Sequence, residues 1–274
     1  MAEKRTDLSR LCIHSITNKP WNLEEMVAGY AKAGVPAATL WTMHIEPYGA
    51  QQTRRILEDA GITCVSVCRG GFFPATSGAK RQEARDENRR IIDMTHELGC
   101  DLVVLVCGAV PDLDLPTQRQ QITDGIASVL PHAEQAGVRL SIEPLHPMYA
   151  DCRSAVNTLE QANNMCVALN HSFLGVTVDV YHLWWDPHLK AEIERAGRNI
   201  FSFHVSDWRT PTRDLLNDRG IMGEGCIDIP KIRSWVEHTG FNQWIEVEIF
   251  SSEYWEQDQD SFVARIIDGY RTSV

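Results

Sequence analysis

The segment Glu134–Glu143, EQAGVRLSIE, decides the fold. A helix-like stretch stops at Ala136-Gly137, an apolar strand begins at once, and the strand ends on a carboxylate, Glu143, before the turn at Pro144. Glycine closes helices because it adopts the left-handed conformation at little steric cost. The same order of helix, glycine and strand recurs in AKAGVPAATLW, LEDAGITCVSV, HELGCDLVVLV, ERAGRNIFSF and EHTGFNQWIEVEI. The glycines are Gly34, Gly61, Gly99, Gly197 and Gly240. Strands alternating with helices about every 30 residues are parallel β-α units.

Working outward gives strands at Leu11–Thr17, Ala37–Met43, Ile62–Cys68, Leu102–Cys107, Val138–Leu145, Gly175–Val180, Ile200–Ser206 and Gln243–Phe250. Asn22 and Glu25 form a capping-box pattern that opens a helix through Ala33. Further helices are expected at Ala50–Ala60, Lys80–Leu98, Pro116–Gln135, Ser154–Leu169, Pro187–Ala196, Ile229–His238 and Asp260–Tyr270. Asn170 replaces one stop glycine. Eight strand-helix pairs without a linker predict a single (β/α)8 TIM barrel domain over residues 1–274. A doubly wound open sheet is the rival, but no GxGxxG follows the first strand.

Composition narrows the function. A net charge of −11 without a basic run argues against nucleic acid, whose binding rests on phosphate neutralisation. No run of about 18 apolar residues predicts a membrane span, and MAEKRTDLSR lacks the apolar core of a secretory signal. The expected location is the cytoplasm. The eight scattered cysteines read as free thiols, and Cys64 and Cys68 have the wrong spacing for a CxxC motif.

Side-chain parity points to a site. Ser141 and Glu143 share one face of their strand, opposite Leu140 and Ile142. Thr177 and Asp179 oppose Val176 and Val178; Ser202 and His204 oppose Phe201 and Phe203; Glu246 and Glu248 oppose Ile245 and Val247. The apolar parity must face the helices, so the polar parity faces the barrel interior. The last polar residue of each strand then lies at the C-terminal rim, where barrel enzymes keep their chemistry. Glu143, Asp179, His204 and Glu248 thus converge from four strands. Three carboxylates so close repel one another unless a cation sits among them. One imidazole with carboxylates suits Mn²⁺, Mg²⁺ or Co²⁺, with Zn²⁺ a further choice. Glu246 shares the parity of Glu248 one pleat deeper and ranks second as a ligand.

Loop residues frame this rim. His182 and His146 each stand three residues past a proposed ligand, Asp179 and Glu143. Trp41, Phe72, Phe73, Trp184 and Trp185 are rim aromatics on which the C–H faces of a sugar can pack. Arg209, Arg213 and Arg219 share the longest loop, and Arg209 is the candidate for binding substrate oxygens. Gly223-Glu-Gly225 reads as a tight turn rather than a phosphate cradle. The aromatic SSEYWEQDQD stretch either meets a partner copy or accessory subunit, or closes the barrel.

IEP at the fifth strand, DVYH at the sixth, FHVSD at the seventh, DRGIMGEGCIDI and the final GFNQWIEVEI resemble the xylose-isomerase-like TIM barrels. SIT and CRGGFF, near the first and third strands, do so too. That group includes ketose 3-epimerases, hydroxypyruvate isomerase, inosose dehydratase and AP-endonuclease relatives. The resemblance implies a Glu143, Asp179, His204, Glu248 set holding Mn²⁺, with both glutamates moving the proton and His182 near the substrate oxygens. EPLHPMY departs from the ketose epimerases by placing His146 beyond Glu143. Lyases of oxidised glycosides on this barrel use an added histidine as base, which is the role His146 would take.

The implied chemistry is proton abstraction next to a carbonyl, giving an enediolate that the metal stabilises. The first expectation is a divalent-metal-dependent sugar isomerase or epimerase acting on a keto-sugar. The alternative is a lyase or dehydratase that β-eliminates from a 3-keto-glycoside or inosose, with His146 as base. A non-catalytic sugar-binding barrel is the third reading.

Overall fold

The computed structural model describes residues 7–274. Eight parallel strands close into a barrel: β1 (Leu11–His14), β2 (Ala37–Trp41), β3 (Thr63–Gly71), β4 (Leu102–Val106), β5 (Arg139–Glu143), β6 (Leu174–Asp179), β7 (Ile200–Val205) and β8 (Ile245–Val247). Each strand pairs with its sequence neighbour, and β8 closes on β1. The outer ring is α1 (Leu23–Ala33), α2 (Ala50–Ala60), α3 (Gly78–Leu98), α4 (Leu115–Ala136), α5 (Leu159–Leu169), α6 (Leu189–Ala196), α7 (Ile229–His238) and α8 (Gln259–Ser273). The expected (β/α)8 barrel is therefore present.

Local signals act as the sequence implies. Asn22 accepts the Glu25 N–H and Glu25 accepts the Asn22 N–H, each at 2.9 Å, so the capping box opens α1. Gly137 stops α4 at φ 69°, and Asn170 stops α5 at φ 44°. Asn tolerates this region better than other non-glycine residues, which explains the substitution. α5 begins at Leu159 rather than Ser154. The preceding residues serve the barrel rim instead: Ser154 bridges Gly108, and the Asn157 side chain donates to the Leu145 and Ser154 carbonyls. The β8 ladder is shorter than expected, so Glu248 lies one residue beyond it.

Parity sorts the interior as expected. Leu11, Ile13, Leu140, Ile142, Val176 and Val178 are buried between the strands and the helices. Inside the barrel a hydroxyl-rich layer gathers around Glu246, which accepts from Thr39 and Ser202 at 2.5 Å and from Ser66 at 3.1 Å. Ser141 and Thr177 bond each other at 2.6 Å in the same interior. The SSEYWEQDQD stretch packs on its own barrel: Tyr254 stacks on Phe262, and Trp255 donates to the Ile16 and Thr17 carbonyls. All eight cysteines are free, Cys152 and Cys226 being exposed.

The β3–β4 seam requires Gly71. Its φ is 108°, and a Cβ there would lie 2.0 Å from the Val106 carbonyl oxygen. Gly71→Ala should lower unfolding free energy by on the order of 2 kcal/mol. Urea denaturation reads this directly, and an unchanged midpoint and slope would contradict the close approach.

Candidate metal centre and active site

Strand register brings the predicted residues to one level. Asp179 is opposite His204, and His204 is opposite Glu246. Glu143 closes β5 opposite Val106. One ligand atom from each of Glu143, Asp179, His204 and Glu248 lies within 4.8 Å of the others, and all four residues are buried. The sequence-predicted ligand set is therefore a single cluster. Glu246 sits below it, its oxygens engaged by Thr39, Ser66 and Ser202. That hydroxyl cage distinguishes it from Glu248.

Each side chain is positioned by its strand end. Pro144 follows Glu143 directly, and Glu143 Oε1 lies 3.0 Å from His204 Nδ1. Asp179 ends β6 and caps the one-turn helix Val180–Leu183, with Oδ1 accepting the Tyr181 N–H at 2.7 Å. That turn carries His182 back over the site, its Nε2 3.6 Å from Asp179 Oδ2. Asp179 thus keeps Oδ2 facing the cluster.

Two residues beyond the predicted set complete the centre. Arg219 lies on a two-stranded ribbon, Arg219–Gly220 against Asp207–Trp208. Its Nη1 donates to Glu248 Oε2 at 2.8 Å and Asp179 Oδ2 at 3.2 Å, and its Nη2 lies 3.0 Å from His182 Nε2. Tyr181 and Phe250 sandwich the guanidinium, with ring centroids 4.4 and 5.1 Å from Cζ. His14, at the end of β1, reaches Glu248 at 3.1 Å and Glu246 at 3.3 Å. The parity rule used on the later strands finds His14, because Cys12 and His14 alternate with Leu11 and Ile13. Arg219 carries no such signal, since its loop has no periodicity.

The other predicted residues lie further out. Arg209 is held by Glu253 and Glu224, at 2.8 and 3.1 Å, and by the Tyr254 hydroxyl. It is not among the residues lining the acidic cavity; Arg219 is the loop arginine that lines it. Trp184 packs against the apolar core and Trp208, and Phe72 is 39% exposed beneath Arg69. Neither lines the cavity; Trp41 and Phe250 do, with ring centroids 5.3 Å apart. His146 stands on the neighbouring aromatic shelf, 4.9 Å from Trp208 and 5.7 Å from Trp185. The Gly223-Gly225 turn is closed by Asp207, which accepts the N–H groups of Gly223, Gly225 and Ile227. Those donors are consequently engaged, as expected of a tight turn.

Charge balance follows from burial. Burial pushes the Asp179 carboxyl up to about 7, with Arg219 opposing and Glu143 and Glu248 reinforcing the rise. Burial would also raise Glu248, but Arg219 and His14 hold it well below the usual range. Burial disfavours charge on His14, yet Glu248, Cys68 and Glu246 raise it well above an ordinary imidazole. His204 is raised by Glu246 and Glu143 against burial and His14. His182 goes the other way: burial, then Arg219, lowers it well below the ordinary value.

The donor set also fits a cation on geometry. Glu143 Oε1 and His204 Nδ1 meet in a buried ion-pair contact at 3.0 Å, but neither they nor His204 Nε2 makes a well-directed hydrogen bond. Buried polar atoms in that state call for an ion or a ligand. The spacing and chemistry of the four donors match a hard or borderline divalent ion.

The family follows from sequence comparison. Residues 27–265 match the model of the xylose isomerase-like TIM barrel, and the chain belongs to that family. A solved protein from Sinorhizobium meliloti 1021 is 42% identical, with a TM-score of 0.94 over 97% of this chain and 98% of its own. The chain is 27% identical to a 3-dehydroshikimate dehydratase of Pseudomonas putida over 85% of its length, but that match covers 36% of the dehydratase. It is 28% identical to an inosose isomerase of Bacillus velezensis over 68% of this chain and 66% of that protein. No helix among the described residues is long and apolar enough to cross a membrane.

His182 yields a pH prediction. Its folded pKa lies below the unfolded value near 6.5, so below that pH the unfolded state binds a proton that the folded state refuses. Stability therefore falls as pH drops through about 6.5. His182→Gln should flatten the acid limb by about 1.4 kcal/mol per pH unit. Urea denaturation between about pH 5 and 6.5 measures the slope; an unchanged slope would count against a buried neutral imidazole.

Proposed function

We propose that this chain is a divalent-metal-dependent isomerase or epimerase of keto-sugars or similar polyhydroxylated ketones, acting by proton abstraction next to the carbonyl. The observation that carries the reading is the convergence of Glu143, Asp179, His204 and Glu248, buried and within 4.8 Å. Those four residues would hold the metal, with Mn²⁺ first among Mn²⁺, Mg²⁺, Co²⁺ and Zn²⁺. Bound there, the ion supplies Lewis acidity toward a carbonyl and an adjacent hydroxyl. The match to an inosose isomerase supports the substrate class.

The remaining work falls to the chain. Arg219 donates to His182 Nε2 at 3.0 Å over the cluster, and that contact holds a guanidinium whose N–H groups would meet substrate oxygens. Trp41 and Phe250 present ring faces to the substrate C–H bonds. The cations around Glu248 keep it ionised, the state a proton acceptor needs. Glu248 and Glu143 form a carboxylate pair: one takes the carbon-bound proton, and the other returns it. Return to the opposite face of the same carbon gives epimerisation, and return to the neighbouring carbon gives isomerisation.

A second reading is dehydration, favoured by the dehydratase match across 85% of this chain. His146 would take part, though in a different role from the expected base. Its Nδ1 accepts the Met148 N–H at 3.2 Å, and burial lowers its pKa. A neutral ring so bonded carries its proton on Nε2. That proton suits a leaving hydroxyl, while a carboxylate takes the carbon-bound proton.

Incubation with Mn²⁺ in D₂O, screening ketoses, inososes and 3-keto-glucosides, tests the shared step. Deuterium should enter at carbon with at least one substrate, and Glu143→Gln should slow entry by about 10²-fold or more. A rearranged sugar supports the first reading and an unsaturated product the second. No incorporation across the panel would defeat both.

A further inference from the structure

Two cations at or beside the acidic cavity are not used by the proposed chemistry. Residue pairing in the β3–β4 seam passes from Cys68 opposite Val104 to Gly70 opposite Leu105. Arg69 is thus the extra residue of a β-bulge. Bulges beside sites re-aim a side chain. Cys68, immediately before it, lines the cavity. The Arg69 guanidinium rests over Phe72 at 4.2 Å and over Trp41, itself a lining residue, at 5.8 Å. Arg153 lines the same cavity from the segment after β5, with Cζ 5.8 Å from the Tyr149 ring.

Neither guanidinium has an acidic partner among the described residues. This is unlike the arginines of the long loop: Arg209, Arg213 and Arg219 each pair with carboxylates. Both Arg69 and Arg153 are half-buried. Burial, and then the Arg153 charge, lower the Arg69 pKa, which places the two cations close enough to repel. The chain is acidic overall, with a net charge of −11, so carboxylates are plentiful elsewhere. Two partly desolvated like charges beside one cavity, lacking a counterion, are stabilised when an anion arrives.

We propose that Arg69 and Arg153 receive an anionic oxygen group, a carboxylate or phosphate monoester, carried by the substrate. This deepens the proposed function and rests on the acidic cluster being the reacting centre. The charges are polarised accordingly: Glu143 and Glu248 line the cavity from buried positions, while Arg153 lines it from a half-buried one and Arg69 stands beside it over the lining residue Trp41. A polyhydroxylated ketone with a charged tail would enter carbonyl first. Arginine suits the tail because its planar fork meets two oxygens at once.

Isothermal titration of the full metal-loaded chain tests this with matched probes. Quinate is compared with its neutral amide, and inositol 1-phosphate with inositol. At least one anion should bind about tenfold more tightly than its neutral partner, and the pair that shows the preference identifies the anion. Arg69→Gln and Arg153→Gln should each bring that ratio toward one. The lysine variants should retain part of it, since the charge remains without the fork, and they keep the test usable if a glutamine variant misfolds. Equal affinities within both pairs, a ratio unchanged in both glutamine variants, or no binding of any probe would overturn the proposal. The ratio is also read in Glu143→Gln. A preserved preference there, with no carbon exchange in the wild-type chain, would defeat the reacting-centre reading and leave the anion receptor standing.

Discussion

Four carboxylates, those of Glu143, Asp179, Glu246 and Glu248, are buried in one end of the barrel, none more than 4% exposed. Their mutual repulsion in a poorly solvated interior is the constraint on which the rest depends. Arg219, His14 and His204 answer it from three different elements. Glu246 is answered chiefly by His204 and His14, then by the Ser202 hydroxyl, and is held at about 2 despite burial. Asp179 is least compensated, and its carboxyl rises to about 7. A divalent ion held by these donors would complete the balance.

This constraint also explains architecture. A barrel interior is ordinarily filled by branched apolar side chains. Here Thr39, Ser66, Ser141, Thr177 and Ser202 occupy interior positions and are fully or almost fully buried. Thr39, Ser66 and Ser202 give Glu246 hydrogen-bond donors that an apolar filling would deny, and Ser141 and Thr177 satisfy each other. The long loop after β7 folds inward for the same reason, because its ribbon carries Arg219 onto Asp179 and Glu248. The aromatic rings of Tyr181 and Phe250 fix that guanidinium in place.

What the sequence made legible is what local physics determines. EQAGVRLSIE and its relatives carry helix, stop and strand within about ten residues, so the alternation and the closed eight-fold count follow from them. The convergence of Glu143, Asp179, His204 and Glu248 follows from strand parity, a period-two property. His14 obeys the same parity and is therefore a missed reading rather than a hidden one. Arg219 is different: its place depends on a non-local ribbon, and it is indistinguishable in sequence from Arg209 and Arg213. Trp184 and Phe72 illustrate the same limit, since aromatic identity does not say whether a loop ring faces the cavity or the core. The bulge that isolates Arg69 depends on pairing register between β3 and β4, which the strand pattern alone does not carry.

The central claim is that the four strand-end donors hold one divalent cation. Electron paramagnetic resonance during a Mn²⁺ titration measures it directly, because free and bound ions give distinct signals. The account predicts one tight equivalent per chain, with affinity falling by about tenfold or more in Asp179→Asn. No tight equivalent, or an equivalent whose affinity ignores Asp179→Asn, would contradict it.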